Sequence, residues 1–370
     1  MIAGMRVLHV ETGRQMLGGT KQTLWLLDGL ARSGVQSHLA CVAGSPLDRA
    51  ARAHGHDVTG LHTHGDADPA LVWTLYRLVR RLRPDLVHLH SRRGADSWGL
   101  LAARAAGVPA VLSRRVDNPQ PAVLRWKYRL AARVIAISAG VDAQLRADGV
   151  APARIRRVRS AVPMPDGLAQ WPESQFRAEF GLTPAHRPVG LVAQMIERKG
   201  HALALDAFAQ LHAACPDARL LVFGTGRLQA QLRARTIATG LDDAAKFAGY
   251  RDDLTAFIGH FELLLHPALR EGLGVALLEA QAAGVPVVGF DVPGVNEAVA
   301  DQQTGLLVRA GDASALAEAA RRLLDDDDLR ARLSDNARAR IAAEFLPRAM
   351  CEATVEVYRE VLQEKHHASR

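Results

Sequence analysis

The densest set of residues able to do chemistry runs from His266 to Glu279: His266-Pro267-Ala268-Leu269-Arg270-Glu271-Gly272-Leu273-Gly274-Val275-Ala276-Leu277-Leu278-Glu279. An apolar run precedes it, two glycines turn the chain, an apolar stretch follows, and Gly284 leads into Val285-Pro286-Val287-Val288. That order predicts strand, loop, helix, strand. Gly272 and Gly274 let the main chain approach a ligand closely. The amides of Gly274, Val275 and Ala276 open the helix, and a helix N-terminus is a natural phosphate site. Glu271 stands before the helix and Glu279 about two turns into it, so both carboxylates can border one ligand.

The rest of the chain must position this segment. Its 370 residues suggest two domains, and 48% hydrophobic with 23% charged residues excludes wholesale disorder. Apolar runs at Arg6–Val10, Gln36–Val42, Leu86–His90, Ala110–Leu112 and Val134–Ile137 alternate with helical segments. A second series, Val189–Val192, Leu220–Phe223, Leu263–Leu265, Val285–Val288 and Gly305–Val308, repeats the pattern. Continuous apolar strands alternating with helices predict an α/β fold with a doubly wound parallel sheet, twice over, the two domains facing a central cleft. The Pro/Gly-rich stretch from Val162 to Pro172 reads as a linker. The expected domains are 1–165 and 166–345, followed by a helix at 346–370 that returns toward the first. Its register of Met350, Thr354, Val357, Tyr358 and Val361 is helical.

With those residues in hand, the chain resembles the family-4 retaining glycosyltransferases of GT-B architecture, whose Glu-x7-Glu signature Glu271 and Glu279 match. The resemblance covers nearly the whole chain. Gly18-Gly19 resembles the family's glycine pair after the first strand, and Glu197-Arg198-Lys199-Gly200-His201 its Lys-Gly. Gly224-Thr225-Gly226, Phe247-Ala248-Gly249-Tyr250 and Pro293-Gly294-Val295-Asn296-Glu297 stand at family intervals. The resemblance implies a sugar-nucleotide donor, with Glu279 on the ribose hydroxyls and Glu271 on the transferred sugar. It implies that Lys199 and the amides of 274–276 stabilise the departing diphosphate, that Gly18-Gly19 admit the phosphates, and that no bound metal or other cofactor is needed.

Three positions depart from the family pattern. Gln194 stands where many relatives have an Arg, Arg115 where many have a His, and Ser160-Ala161 replaces an Asn-Gly. Arg115 is expected to supply the charge that Gln194 lacks; the alternative is a plain surface residue.

His90-Ser91-Arg92-Arg93 follows a buried strand, where open parallel sheets place ligand crevices. His90, Arg92 and Arg93 are candidate acceptor or catalytic contacts, with Arg114 beside them; the alternative is a packed histidine and solvated arginines. Arg125-Trp126-Lys127-Tyr128-Arg129 suits an anionic membrane interface through Trp126 and Lys127, or equally a helix with its rings in the core. His54-Gly55-His56 and His62-Thr63-His64 lack the framing of a metal site, Asp66-Ala67-Asp68 is a poor triplet, and the run Asp325–Asp328 reads as a solvated turn.

Charge is uneven: residues 1–165 hold 24 basic and 11 acidic residues, a net +13, and the remainder holds a net −6. The positive half points to an anionic glycan or glycolipid acceptor, lipopolysaccharide core first and a polyprenyl-linked exopolysaccharide or capsule unit second. Cys41, Cys215 and Cys351 lie far apart, no run of about 18 apolar residues occurs, and the N-terminus enters a strand directly. A cytoplasmic protein with peripheral contact on the inner membrane is expected. A sugar-nucleotide epimerase is the alternative enzyme class, set aside because it needs a different set of catalytic groups. Nucleic-acid binding is excluded by the acidic second half and the lack of a recognition motif. Arg115→Ala is predicted to weaken donor binding and turnover about tenfold or more, measured by titration and initial rates; near-normal values would return Arg115 to the surface.

Overall fold

The computed structural model describes residues 4–368 apart from 64, 66, 67, 93 and 168. Arg93, Asp66 and His64 thus lie outside the described residues. The chain divides into two compact units, Met1–Ala161 with Pro347–Arg370, and Val162–Leu346.

In the first unit β1 (Arg6–Glu11), α1 (Gly18–Arg32), β2 (Gln36–Val42), α2 (Pro46–Ala53), β3 (Asp57–Leu61) and α3 (Ala70–Leu82) alternate. Then come β4 (Leu86–Leu89), α4 (Ala95–Ala105), β5 (Ala110–Arg114), a 3-10 helix (Ala122–Arg129), β6 (Arg133–Ala136), α5 (Ala139–Ala147) and β7 (Ile155–Arg157). The strands pair in parallel in the order β3-β2-β1-β4-β5-β6-β7.

The second unit runs α6 (Glu173–Phe180), β8 (Arg187–Val192), α7 (His201–Ala214), β9 (Ala218–Phe223), α8 (Gln229–Ala238), β10 (Ala245–Gly249) and β11 (Leu263–His266). It continues through α9 (Val275–Ala282), β12 (Val287–Phe290), α10 (Val295–Ala298), β13 (Gly305–Val308), α11 (Ala313–Asp325) and α12 (Asp327–Glu344). Its parallel sheet has the order β10-β9-β8-β11-β12-β13. Both units are doubly wound α/β folds of the Rossmann kind.

Strands β4, β6, β11 and β12 are buried at every residue, as a strand covered on both faces must be. The three strands that no apolar run announces, β3, β7 and β10, all lie at sheet edges. They are largely half-buried, so their sequences need no continuous apolar stretch. In each sheet the order of strands reverses once, between β1 and β4 and between β8 and β11. The carboxyl ends of those strand pairs are where such sheets hold ligands.

The acidic run is more than a solvated turn. Asp325 ends α11, the Asp326 side chain accepts from the Leu329 amide as N-cap of α12, and Asp327 and Asp328 fill its first turn. Negative charge there satisfies the cap and suits the helix dipole.

The last helix, α13 (Pro347–Ala368), buries Met350, Cys351, Val355, Val357, Tyr358 and Val361 in the first unit's core with Val7, Leu26, Leu30 and Leu86. Gly29 of α1 makes the approach possible, because a Cβ there would meet Cys351 Cβ at 3.0 Å and Sγ at 3.1 Å. Arg156 Nε donates to Glu360 at 2.8 Å, and Arg133 pairs with Glu360 and Glu364, fixing the outer side of the helix. Gly29→Val is predicted to lower the stability of the first unit by about 1–3 kcal/mol through overpacking against Cys351. Thermal unfolding followed by circular dichroism measures this; an unchanged midpoint would show that α13 is loosely seated.

Candidate functional site

In the second unit the loops after β8 and β11 meet at the reversal of strand order. Lys199 ends a 3-10 turn (Glu197–Lys199), and Gly200 must follow it: its φ is +68° and a Cβ would meet Pro267 O at 1.9 Å. This contact holds the Lys199 loop against the start of the Glu-bearing loop. Lys199 Nζ forms an ion pair with Glu271 Oε2, and His266 Nε2 lies 3.0 Å from the same oxygen. The Gly272 amide donates to Oε1 at 3.0 Å.

Glu271 is buried, and burial by itself opposes ionisation of its carboxyl. The Lys199 charge and the His266 hydrogen bond overcome it and hold the carboxyl far below the usual carboxylate range. Burial pulls His266 below its ordinary value against Glu271's influence, so the neutral ring donates Nε2–H to Glu271. His201, buried behind Lys199, falls to about 4 through burial and then the Lys199 charge.

Gly274 caps α9 at φ +80°, where an added Cβ would meet Leu277 Cδ1 at 2.7 Å. The helix geometry leaves the Val275 and Ala276 amides without a carbonyl one turn back, and no acidic residue occupies the first turn. Glu279 is buried on the same helix, and Tyr250, 43% exposed, feels its charge. Gly224 packs over Gln194: a Cβ at Gly224 would lie 3.5 Å from Gln194 N, and Met195 N donates to Thr225 O at 3.0 Å. Lys199, Gly272, Gly274, Val275, Ala276 and Glu271 therefore converge, with Gln194 and Gly224 in the neighbouring loops. His266 was not among the expected site residues. Its position as the last residue of β11, five before Glu271, was the available signal.

In the first unit, Gly18 and Gly19 are the first residues of α1 rather than a turn before it. Arg115 is the first residue beyond β5; its Cδ lies 3.5 Å from a Cβ placed on Gly19, and Nη2 lies 3.2 Å from His90 Nδ1. Burial brings Arg115 down to about 10, opposed by Glu11, so it remains a cation at neutral pH.

His90 differs from expectation. It is buried, and both ring nitrogens are taken, Nδ1 by Arg115 and Nε2 by His9 Nδ1 at 3.0 Å. Arg115 can only donate, so His90 carries its proton on Nε2 and passes it toward His9. His90 positions Arg115 and offers no nitrogen to an acceptor. Beside it His88 bridges Tyr358 Oη at 2.6 Å and Ser113 Oγ at 2.8 Å. Burial lowers His9 to about 3 and sends His88 and His90 well below the ordinary imidazole value, with Arg115 adding to it at the latter two.

Two further expectations are corrected by burial. Arg114 is enclosed, with Nη1 donating to Gln120 Oε1 at 3.1 Å and Nη2 to the Asn118 carbonyl. Lys127 is enclosed too, its Nζ 2.5 Å from Asp96 Oδ2 at the first turn of α4. Neither charge reaches an acceptor or a membrane, because a buried cation needs its partner more than its solvent. Arg92 and Trp126 are exposed. The 3-10 helix thus divides between two roles: Lys127 and Tyr128 face inward, while residues 122–126 face out.

Residues 174–340 match the family described as Glycosyl transferases group 1, and residues 18–164 match Glycosyltransferase Family 4. The chain is 30% identical over 275 residues to the 2-deoxystreptamine glucosyltransferase of Streptomyces kanamyceticus, spanning 68% of this chain and 70% of that relative. It is 31% identical over 198 residues to the lipopolysaccharide core biosynthesis mannosyltransferase LpsB of Rhizobium meliloti strain 1021, spanning 52% and 56%. The crystal structure of Anabaena HepE in complex with UDP-glucose shares the fold, with TM-score 0.85 at 20% identity over 96% of this chain and 100% of that one.

The buried histidines set a pH dependence. Below about 6.5 an unfolded chain protonates them while the folded chain does not, so stability is lost as pH falls, by up to about 1.4 kcal/mol per pH unit for each. The depressed Glu271 carboxyl acts in the same direction at lower pH, its contribution being lost only as pH falls below about 4.5. Unfolding midpoints of the first unit are therefore predicted to fall between pH 7 and pH 5, and His9→Asn to flatten that slope.

Proposed function

The chain belongs to the family-4 glycosyltransferases, and from that premise we propose that it transfers a sugar from a nucleotide diphosphate to an anionic or lipid-linked glycan with retention of configuration. The observation that carries the donor half is the joining of Lys199, Glu271 and the open amides of α9 at one sheet reversal. Diphosphate oxygens take the Val275 and Ala276 amides and draw Lys199 from Glu271, so positive charge meets the charge that develops on the leaving group. Glu271 stays ionised and fixed by His266 and Gly272, and accepts hydroxyls of the transferred sugar. Glu279 takes the ribose hydroxyls, and the half-exposed Tyr250 ring offers a face for the base. The acceptor oxygen attacks the anomeric carbon on the face the nucleotide leaves. The bond to the diphosphate breaks as the new glycosidic bond forms, and the leaving phosphate oxygen takes the acceptor proton. Protein cations and amides do the work of a metal in this scheme.

For the acceptor, lipopolysaccharide core is our first choice, supported by the likeness to LpsB and by the +13 charge of the first unit against −6 in the second. Val123, Leu124 and Trp126 are exposed beside Arg125 and Arg129, a combination suited to an anionic bilayer surface. No helix among the described residues is long and apolar enough to cross a membrane. The longer likeness to a 2-deoxystreptamine glucosyltransferase favours a second reading, a soluble acceptor.

A thermal-shift screen of UDP, GDP, ADP and their sugars identifies the donor, because a ligand bound only by the folded form raises the midpoint. With the donor known, Glu271→Gln is predicted to lower kcat about a hundredfold or more, and Lys199→Ala to lower both donor affinity and kcat. Epimer formation without transfer would overturn the assignment. Binding to anionic vesicles that falls with salt and with Trp126→Ser supports the membrane-borne acceptor; salt-independent activity and no vesicle binding would favour the soluble one.

A further inference from the structure

One cluster of ligating side chains lies outside the donor site. His54 is the C-cap of α2, Gly55 turns the chain at φ +80°, and His56 leads into β3. The His-Gly-His spacing supplies two imidazoles and no third ligand; the fold supplies one from α1. Asp28 Oδ1 lies 3.1 Å from His54 Nδ1 and 2.7 Å from His56 Nε2. One ligand atom from each residue lies within 4.8 Å of the other two. The carboxylate side chain is 23% exposed, and those of His54 and His56 are 46% and 10% exposed, so the group is built into the surface yet open to solvent.

We propose that Asp28, His54 and His56 form a binding site for a borderline divalent metal ion, Zn²⁺ foremost, that clips α1 to the turn between α2 and β3. Two imidazoles and one carboxylate select such ions over Mg²⁺ or Ca²⁺, which prefer all-oxygen sets. Ligand bonds near 2.0–2.1 Å in a tetrahedron give edges of about 3.3 Å, a few tenths beyond the nitrogen–oxygen separations present. Entry of the ion therefore needs Asp28 and His56, the closer pair, to separate slightly, which a turn of the partly exposed Asp28 carboxylate can provide. Each neutral ring keeps its proton on the nitrogen away from the ion, and water completes the coordination. The other histidine group, His9, His88 and His90, is unsuited: Arg115 already donates to His90, and a dication would sit beside that guanidinium. The clip has no part in sugar transfer. It braces α1, whose first residues are Gly18 and Gly19.

The test is calorimetric titration of the metal-stripped full chain with Zn²⁺ alone, beside Asp28→Asn and His54→Ala. The expected result is one saturable site that each substitution weakens at least tenfold. A hundredfold excess of Zn²⁺ over Kd should raise the unfolding midpoint of the first unit by about 5–10 °C. His54 is exposed enough for its variant to fold, which an unchanged metal-free midpoint verifies. Binding equal in wild type and both variants would assign the metal elsewhere and overturn the proposal. So would no saturable binding at all, which would leave two histidine–carboxylate hydrogen bonds only.

Discussion

A carboxylate buried at the end of a parallel sheet cannot remain charged without a partner, and the second unit is arranged around that requirement. Glu271 needs Lys199 beside it, Lys199 needs the loop after β8 pressed onto the loop after β11, and that contact needs a residue without a side chain at Gly200. Removing either charge would strand the other in a site where desolvation costs several kcal/mol. The same pairing makes the site responsive. In the function proposed above Lys199 exchanges this carboxylate for a diphosphate, and the His266 ring and Gly272 amide hold Glu271 independently of it.

The first unit meets a similar demand in the other way. Its polar residues at the sheet reversal are mostly neutral: three imidazoles, a tyrosine and a serine share protons under α1 and α13, with Arg115 as the charged end of the chain. The neutral network fixes the direction of the cation, and the buried Glu11 at the end of β1 supports its charge. Tyr358 comes from α13, so the helix that closes the core also supplies a member of this network.

Central strands and the Glu-bearing loop were legible in the sequence because burial on both faces demands apolar runs and a tight ligand turn demands glycine. Edge strands β3, β7 and β10 escaped because half-buried backbone makes no such demand. The site's long-range pairings escaped as well. Nothing at position 127 says that Asp96 awaits it, nothing at 90 says that His9 and Arg115 take both nitrogens, and nothing beside Gly55 points to Asp28. Those residues become neighbours only when the strand order is known, and several orders suit the same apolar pattern. Lys127 and Arg114 show the usual error of reading cations as surface when a buried acid or carbonyl accepts them.

The second unit is inserted between two segments of the first, since residues after 346 return to the core begun by residues 4–161. During synthesis the ribosome therefore completes the second unit while the first still lacks Tyr358 and the apolar face of α13. Domains commonly fold in the order they are made; here the first-made unit is completed by α13, made after the second. Until then Leu26, Leu30 and the Nδ1 side of His88 lack the partners that α13 supplies.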